Sequence, residues 1–177
     1  MLTFFVVLIV AVVVILVAAV TRPDNFRIER STMIKASPQK IVPLINDFNR
    51  WSAWSPFEQL DPDMKRTVSG PASGKGSVYE WEGNSKAGKG RMEITESSAS
   101  VVSTKLDFEK PFKANNIAEF TLEPQGEVTR VTWSMSGRSP YVMKLMGMFM
   151  NMEKSVGRDF DAGLASLKSL AEASNAS

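Results

Sequence analysis

Few residues in this chain could do chemistry. It contains no histidine and no cysteine, which removes the commonest general base, the commonest metal ligand, every Ser-His or Cys-His nucleophile, and all disulfides. The candidate acids and bases that remain are Glu80, Glu82, Glu93, Glu119, Arg130 and Tyr79. Glu80 and Glu82 interleave with Tyr79 and Trp81, and Glu93 sits between Met92 and Ile94. On a strand, successive side chains point to opposite faces, so these carboxylates read as solvent charges opposite an apolar face. Tyr79 lies on that apolar face and is the one named candidate for proton transfer. Arg30 is the converse case: it shares a face with Ile28 and Thr32, and either meets a carboxylate or ligand there or is turned outward by a bulge.

No Asp-x-Asp-x-Asp-Gly loop is present, so no metal is expected, and no other cofactor either. Gly88-Lys89-Gly90 lacks the spacing of a phosphate loop and opens a strand rather than a helix, while Ser69 to Gly76 reads as a flexible loop. The formal charge is +2, with Lys and Arg scattered among Asp and Glu. That pattern gives no basic stripe and argues against a nucleic-acid partner.

The elements that must position these side chains follow from periodicity. Phe26 to Ala36 alternates as a strand, and Ser37-Pro38 starts a helix ending near Asn49, with Ser37 placed to cap it. Trp51-Ser-Ala-Trp54-Ser-Pro56-Phe57 reads as a turn or a broken second helix. Strands are predicted near 64–69, 76–83, 88–97, 100–109, 115–123 and 128–137, separated by Gly, Pro, Asn and Ser turns, as in an antiparallel meander. One long helix is predicted from Tyr141 to about Ala173, its stripe running Leu145, Phe149, Met152, Val156, Phe160, Leu164 and Leu167. Gly147, Gly157 and Gly163 weaken it by roughly 1 kcal/mol each relative to Ala, and let it lie close to a sheet. The polar tail from Ser174 to Ser177 is expected to fray.

Leu2 to Val20 is apolar except for Thr3. A helix of that length spans roughly 28 Å at about 1.5 Å per residue, close to the thickness of a bilayer core. The competing reading is a secretory signal peptide. Against it, no Lys or Arg precedes Arg22, the apolar run exceeds a signal peptide's, and Ala18-Ala19-Val20 before Thr21-Arg22-Pro23 is a poor cleavage site. The expectation is therefore a single-pass membrane anchor over residues 1–22 and one soluble domain over 23–177. Arg22, Arg27, Arg30 and Lys35 follow the span, which places the domain in the cytoplasm by the positive-inside rule.

The order of elements, together with specific residues, resembles the START-like helix-grip superfamily, the polyketide cyclase/dehydrase and lipid-transport group often called SRPBCC. The residues that carry the resemblance are Ile34-x-Ala36-x-Pro38, Trp51-x-x-Trp54-x-Pro56, Trp81-x-Gly83, Gly88-x-Gly90-x-Met92-x-Ile94, Leu106-x-Phe108-x-x-Pro111 and Thr129-x-Val131-Thr132-Trp133. It covers about residues 25–172. The resemblance implies an α+β helix-grip fold, a curved antiparallel sheet wrapped around a long C-terminal helix, with an apolar cavity between them for a hydrophobic small molecule. In that frame the candidate ligand-binding residues are Tyr79, Trp81, Met92, Ile94, Leu106, Phe108, Phe120, Trp133 and Met135 of the sheet, and Leu145, Phe149 and Met152 of the helix. Trp51 and Trp54 read more readily as a plug for the short helical connection. An N-terminal anchor is outside the general family pattern, and the polar residues, sometimes histidine, that the cyclase branch often uses are absent.

The leading functional reading is a membrane-anchored binding protein for a lipid, isoprenoid or polyketide-like molecule, with no catalytic residue. The alternatives are a cyclase/dehydrase-type enzyme using Tyr79 or an unidentified carboxylate as general acid or base, and a protein-interaction domain. The latter would use the methionines between Met143 and Met152, where Met143, Met148 and Met150 fall off the apolar stripe while Met146 and Met152 read as core filling.

Overall fold

The computed structural model describes residues 1–149 and 151–173, without the side chains of Leu2, Val142, Met148 and Phe149. An apolar helix, α1 (Leu2–Val20), leads through Pro23 into β1 (Asn25–Ile34). Then come α2 (Pro38–Ile45), two 3₁₀ turns (Phe48–Ala53 and Pro56–Gln59), and the strands β2 (Lys65–Ser69), β3 (Val78–Glu82), β4 (Lys89–Ser97), β5 (Val101–Lys110), β6 (Ala114–Gln125) and β7 (Val128–Arg138). Two helices, α3 (Tyr141–Phe149) and α4 (Met152–Ala173), follow.

The strands form one antiparallel sheet in the order β1-β7-β6-β5-β4-β3-β2. Every neighbouring pair is a hairpin except β1 and β7, which pair over their whole lengths from Asn25↔Arg138 to Ile34↔Thr129. The sheet therefore has two ends of distinct chemistry. One end carries Asn25, Arg138, Ala114, Lys110, Lys89, Glu82 and Lys65; the other carries Ile34, Val128, Gln125, Val101, Ser97, Val78 and Ser69. With helices on one face, the sheet buries one side of its pleat, and alternate residues of each strand face the core.

Two predicted helices differ in extent. The first stops at Ile45, because Pro43 and the Asp47 side chain, which accepts from the Asn49 N–H, convert the chain to a 3₁₀ turn. Ser37 stands at its N-cap, but its side chain makes no capping bond. The predicted single C-terminal helix is two, since Asn151 accepts from the Lys154 N–H through its side chain and starts α4 afresh. The consequence for packing is large. Among the described residues of the predicted stripe, Val156, Phe160, Leu164 and Leu167 meet the core, whereas α3 lies against α1. Leu145, Met146 and Met152 are half-buried outside the core cluster, so Met146 and Met152 do not fill it. Phe149, read from the sequence as a ligand-binding residue, and Met148 and Met150, read as lying off the apolar stripe, are outside the described side chains, as is the tail from Ser174.

Gly157 and Gly163 bring α4 onto the sheet, each for a separate reason. A Cβ at Gly157 would overlap the Arg30 guanidinium, and one at Gly163 would lie 2.7 Å from Cζ3 of Trp133 and 3.0 Å from Pro56. Arg30 stays on the inner face opposite Trp133 in the β1–β7 register and crosses under α4. Its Nε lies 3.4 Å from Asp161 and its Nη2 3.8 Å from Glu153, so it meets carboxylates, with no bulge turning it outward.

Candidate ligand cavity

The half of the inner face next to the Ile34 and Ser97 end is filled. Ile41, Ile45 and Phe48 of α2 and its 3₁₀ extension, with Leu164 and Leu167 of α4, pack there against Ile94, Val102, Phe120, Leu122 and Val131. The half next to the Asn25 and Lys110 end is hollow. It encloses a cavity of about 340 Å³, within the range of small-molecule sites. Its floor is Trp81, Met92, Leu106, Phe108, Ala118, Trp133 and Met135; its roof is Val156 and Phe160 of α4; and the 3₁₀ segment contributes Trp51, Ser55, Phe57, Glu58, Leu60 and Met64.

Of the sequence-derived candidates, Tyr79, Trp81, Met92, Leu106, Phe108, Trp133 and Met135 are brought together around this space. Ile94 and Phe120 face the same side of the sheet but sit in its filled half, 1% exposed each. Leu145 lies on α3 and Met152 at the start of α4, away from the lining, and the Phe149 side chain is not described. Trp51 lines the cavity, while Trp54 is a core plug whose indole N–H donates to Leu44 O at 2.9 Å.

Local sequence explains the aromatic wall. Trp81 pairs across the ladder with Gly90, where a side chain would strike the indole, and its N–H donates to Ala87 O at 3.0 Å. Phe108 meets Trp81 edge to face at 5.7 Å. Trp133 is stacked between Phe120 and Phe160, with centroids 4.8 Å and 4.1 Å away. Such stacking fixes the rings beyond what area burial alone would do.

The polar part of the wall is one cluster the sequence reading did not single out. Glu58 is buried, its side chain 7% exposed, and binds Arg66 Nε at 2.6 Å while accepting the hydroxyl of Tyr79. Arg66 also donates to the carbonyls of Met64 and Glu58, each at 2.9 Å. Burial, then the hydrogen bond and negative charge of Glu58, push the Tyr79 phenol far above its ordinary value, and Arg66 only partly opposes this. The phenol therefore stays protonated with its proton committed to Glu58. Two further lining groups, the Ser55 hydroxyl and the Trp133 indole N–H, are buried without a hydrogen-bond partner. Among the described residues no group of His, Cys, Asp and Glu could hold a metal ion. The arrangement offers a mostly apolar envelope, the Glu58–Arg66 ion pair, a few uncharged hydrogen-bonding groups, and two charged side chains, exposed Lys86 and half-buried Asp159 of α4.

Fold and cavity together define a helix-grip protein of the α+β class, with a hydrophobic-ligand cavity between a curved sheet and its C-terminal helix. The chain belongs to the polyketide cyclase/dehydrase and lipid-transport family, whose family model matches residues 25–172. No curated protein sequence matches it. Among solved structures, the dimeric Aha1 of Colwellia psychrerythraea is 20% identical, with a TM-score of 0.60 over 83% of this chain and 96% of its own. A hypothetical protein of Helicobacter pylori is 10% identical, with a TM-score of 0.63 over 82% and 88%. The di-domain aromatase/cyclase StfQ of the steffimycin biosynthetic pathway is 8% identical, with a TM-score of 0.66 over 86% of this chain and 52% of its own. At these identities the likeness is one of fold.

Proposed function

We propose that the protein is a membrane-anchored binding protein that holds a hydrophobic small molecule in this cavity, with residues 1–22 as the anchor and residues 23–177 as the binding domain. The observation that carries the reading is the 340 Å³ space in an otherwise close-packed core, walled by aromatic and methionine side chains. Its fully buried unpartnered polar groups, Ser55 and the Trp133 indole, are uncharged. They suit a ligand that is apolar over most of its surface with a neutral hydroxyl, carbonyl or ether, such as an isoprenoid, a fatty alcohol or a polyketide-like ring. The α1 helix is long and apolar enough to cross a bilayer, and the basic residues after it favour a cytoplasmic domain. An enzymatic cyclase needs an acid or base in contact with its substrate; the Tyr79 proton is committed to Glu58, which leaves the half-buried Asp159 carboxylate of α4 as the lining group such a reading would use.

The test is native mass spectrometry of the full chain, released in mild detergent from the membranes in which it is expressed. A stoichiometric adduct of lipid-like mass is expected in the wild type and absent in Ala118→Trp, which occupies the cavity. An adduct-free wild type that also fails to bind isoprenoid alcohols, fatty acids and aromatic polyketides overturns the reading.

A further inference from the structure

The cavity, α1 and α3 all lie at the same end of the sheet. β1 begins there immediately after α1, and β7 ends there immediately before α3. The two helices are tied together: the Tyr141 hydroxyl donates to Leu16 O at 3.0 Å, Arg22 Nη1 to Gly147 O at 2.9 Å, and Lys144 Nζ, in a side chain only 8% exposed, to Asp24 at 2.6 Å. Leu16 is four residues inside the apolar span, roughly 6 Å from its end. A helix whose first residue reaches that depth lies along the boundary of the hydrocarbon, where tyrosine rings gather.

Two hairpin turns reach the same end. The β5–β6 turn, Lys110-Pro111-Phe112-Lys113, exposes Phe112, a large apolar ring that is 48% accessible. It stands three strands from β1, about 14 Å at the usual strand spacing. The β3–β4 turn carries Lys86, and Lys65 and Lys89 begin their strands nearby. Glu82 and Glu109 answer Lys89 at 3.5 Å and 3.7 Å, and Glu82 answers Lys110 at 3.7 Å. Lys86 and Lys113 make no ion pair among the described residues. Leu60, Lys86, Ala87 and Phe108 line the cavity from this end.

From this geometry we infer that the end of the sheet bearing α1 is a docking face for an anionic bilayer: α3 lies in the headgroup region, Phe112 inserts between its flanking lysines, and the cavity opens onto the lipid. This rests on the anchored-binding reading above and adds to it a route by which an apolar ligand enters without crossing water. A loop that presents a single aromatic ring between cations, beside a helix of spanning length, suits a surface of apolar chains under anionic headgroups.

The absence of cysteine makes the test clean. The full chain with a single nitroxide at Lys113→Cys, or at Ala99→Cys on the β4–β5 turn at the opposite end, is reconstituted into vesicles of phosphatidylcholine with phosphatidylserine. The label at 113 is expected to be accessible to oxygen and shielded from aqueous nickel chelate, and the label at 99 the reverse. Adding Phe112→Asp, or omitting phosphatidylserine, moves the label at 113 into water. Adding Lys86→Gln lowers the docked-to-free ratio roughly fivefold. Nickel access at 113 equal to that at 99, in protein that resists carbonate extraction, overturns the docking face and leaves the anchor standing. Extraction by carbonate overturns the anchor, and the docking face with it, while the native-mass adduct separately tests ligand binding.

Discussion

Tyr79 keeps its proton and donates it in a hydrogen bond to a carboxylate that already holds a cation, and this ordering of charges makes its behaviour with pH specific. The folded protein holds the phenol proton more tightly than the unfolded chain, whose tyrosines ionise near pH ~10. The stabilisation from that difference is complete below pH ~10 and is lost as pH rises through the folded value. Urea denaturation between pH 8 and 11, pH values about the ordinary tyrosine pKa, is expected to show stability falling above pH ~10 in the wild type and a flatter curve in Tyr79→Phe. Equal slopes in the two proteins would place the titration elsewhere. Arg66 has the complementary role. Arg66→Met leaves Glu58 buried with only the Tyr79 hydroxyl, and a lost hydrogen bond to a charged group costs about 1.5–3 kcal/mol. Glu58→Gln in the Arg66→Met background recovers part of that loss if the unpaired charge is its cause.

At the scale of elements, α4 is seated by two glycines whose neighbours differ in stiffness. Gly163 faces the rim of Trp133, a ring fixed between Phe120 and Phe160, whereas Gly157 faces the flexible end of Arg30. Gly→Ala favours a helix by about 0.8–1 kcal/mol at either position. At 163 the overpacking of a fixed ring, about 1–3 kcal/mol, outweighs that gain, while at 157 the guanidinium can swing away from two long ion pairs. Chemical denaturation is expected to show Gly163→Ala destabilised and Gly157→Ala near wild type. The reverse order would mean that the Arg30 bridge, not the aromatic stack, sets the seat of the helix. The strands themselves were legible in the sequence because Gly, Pro and Asn turns punctuate alternating runs, and their ends fall within a few residues of the predicted ones. The division of the C-terminal helix was masked by an apolar stripe that continues through Leu145 and Met152, although Asn151 ahead of Glu153 is a capping signal. Glu58 was not legible. It lies in a four-residue 3₁₀ turn, too short for any period to show which way a side chain faces.

Across the whole molecule the inner face divides into a filled half and a hollow half, and that division also escaped the sequence. Alternation tells which face a residue occupies and says nothing of its distance along the strand. Ile94 and Phe120 therefore shared the pattern of Met92 and Ala118 while ending in the packed half, where α2 and the far turns of α4 cover them. The asymmetry should be visible in energetics. Ile94→Ala removes contacts on every side and is expected to cost about 2–5 kcal/mol, whereas Leu106→Ala enlarges an existing space and should fall at or below the low end of that range. Ala118→Trp acts in the opposite sense, exchanging void for packed aromatic surface, so its melting temperature without ligand should equal or exceed that of the wild type. Ligand stabilises by RT ln(1 + [L]/Kd), about 2.7 kcal/mol at a hundredfold excess over Kd. That increment should raise the melting temperature of the wild type and leave Ala118→Trp unmoved. A parallel rise in both proteins would show that the molecule binds outside the cavity, and the hollow half would then be a packing defect with no bearing on recognition.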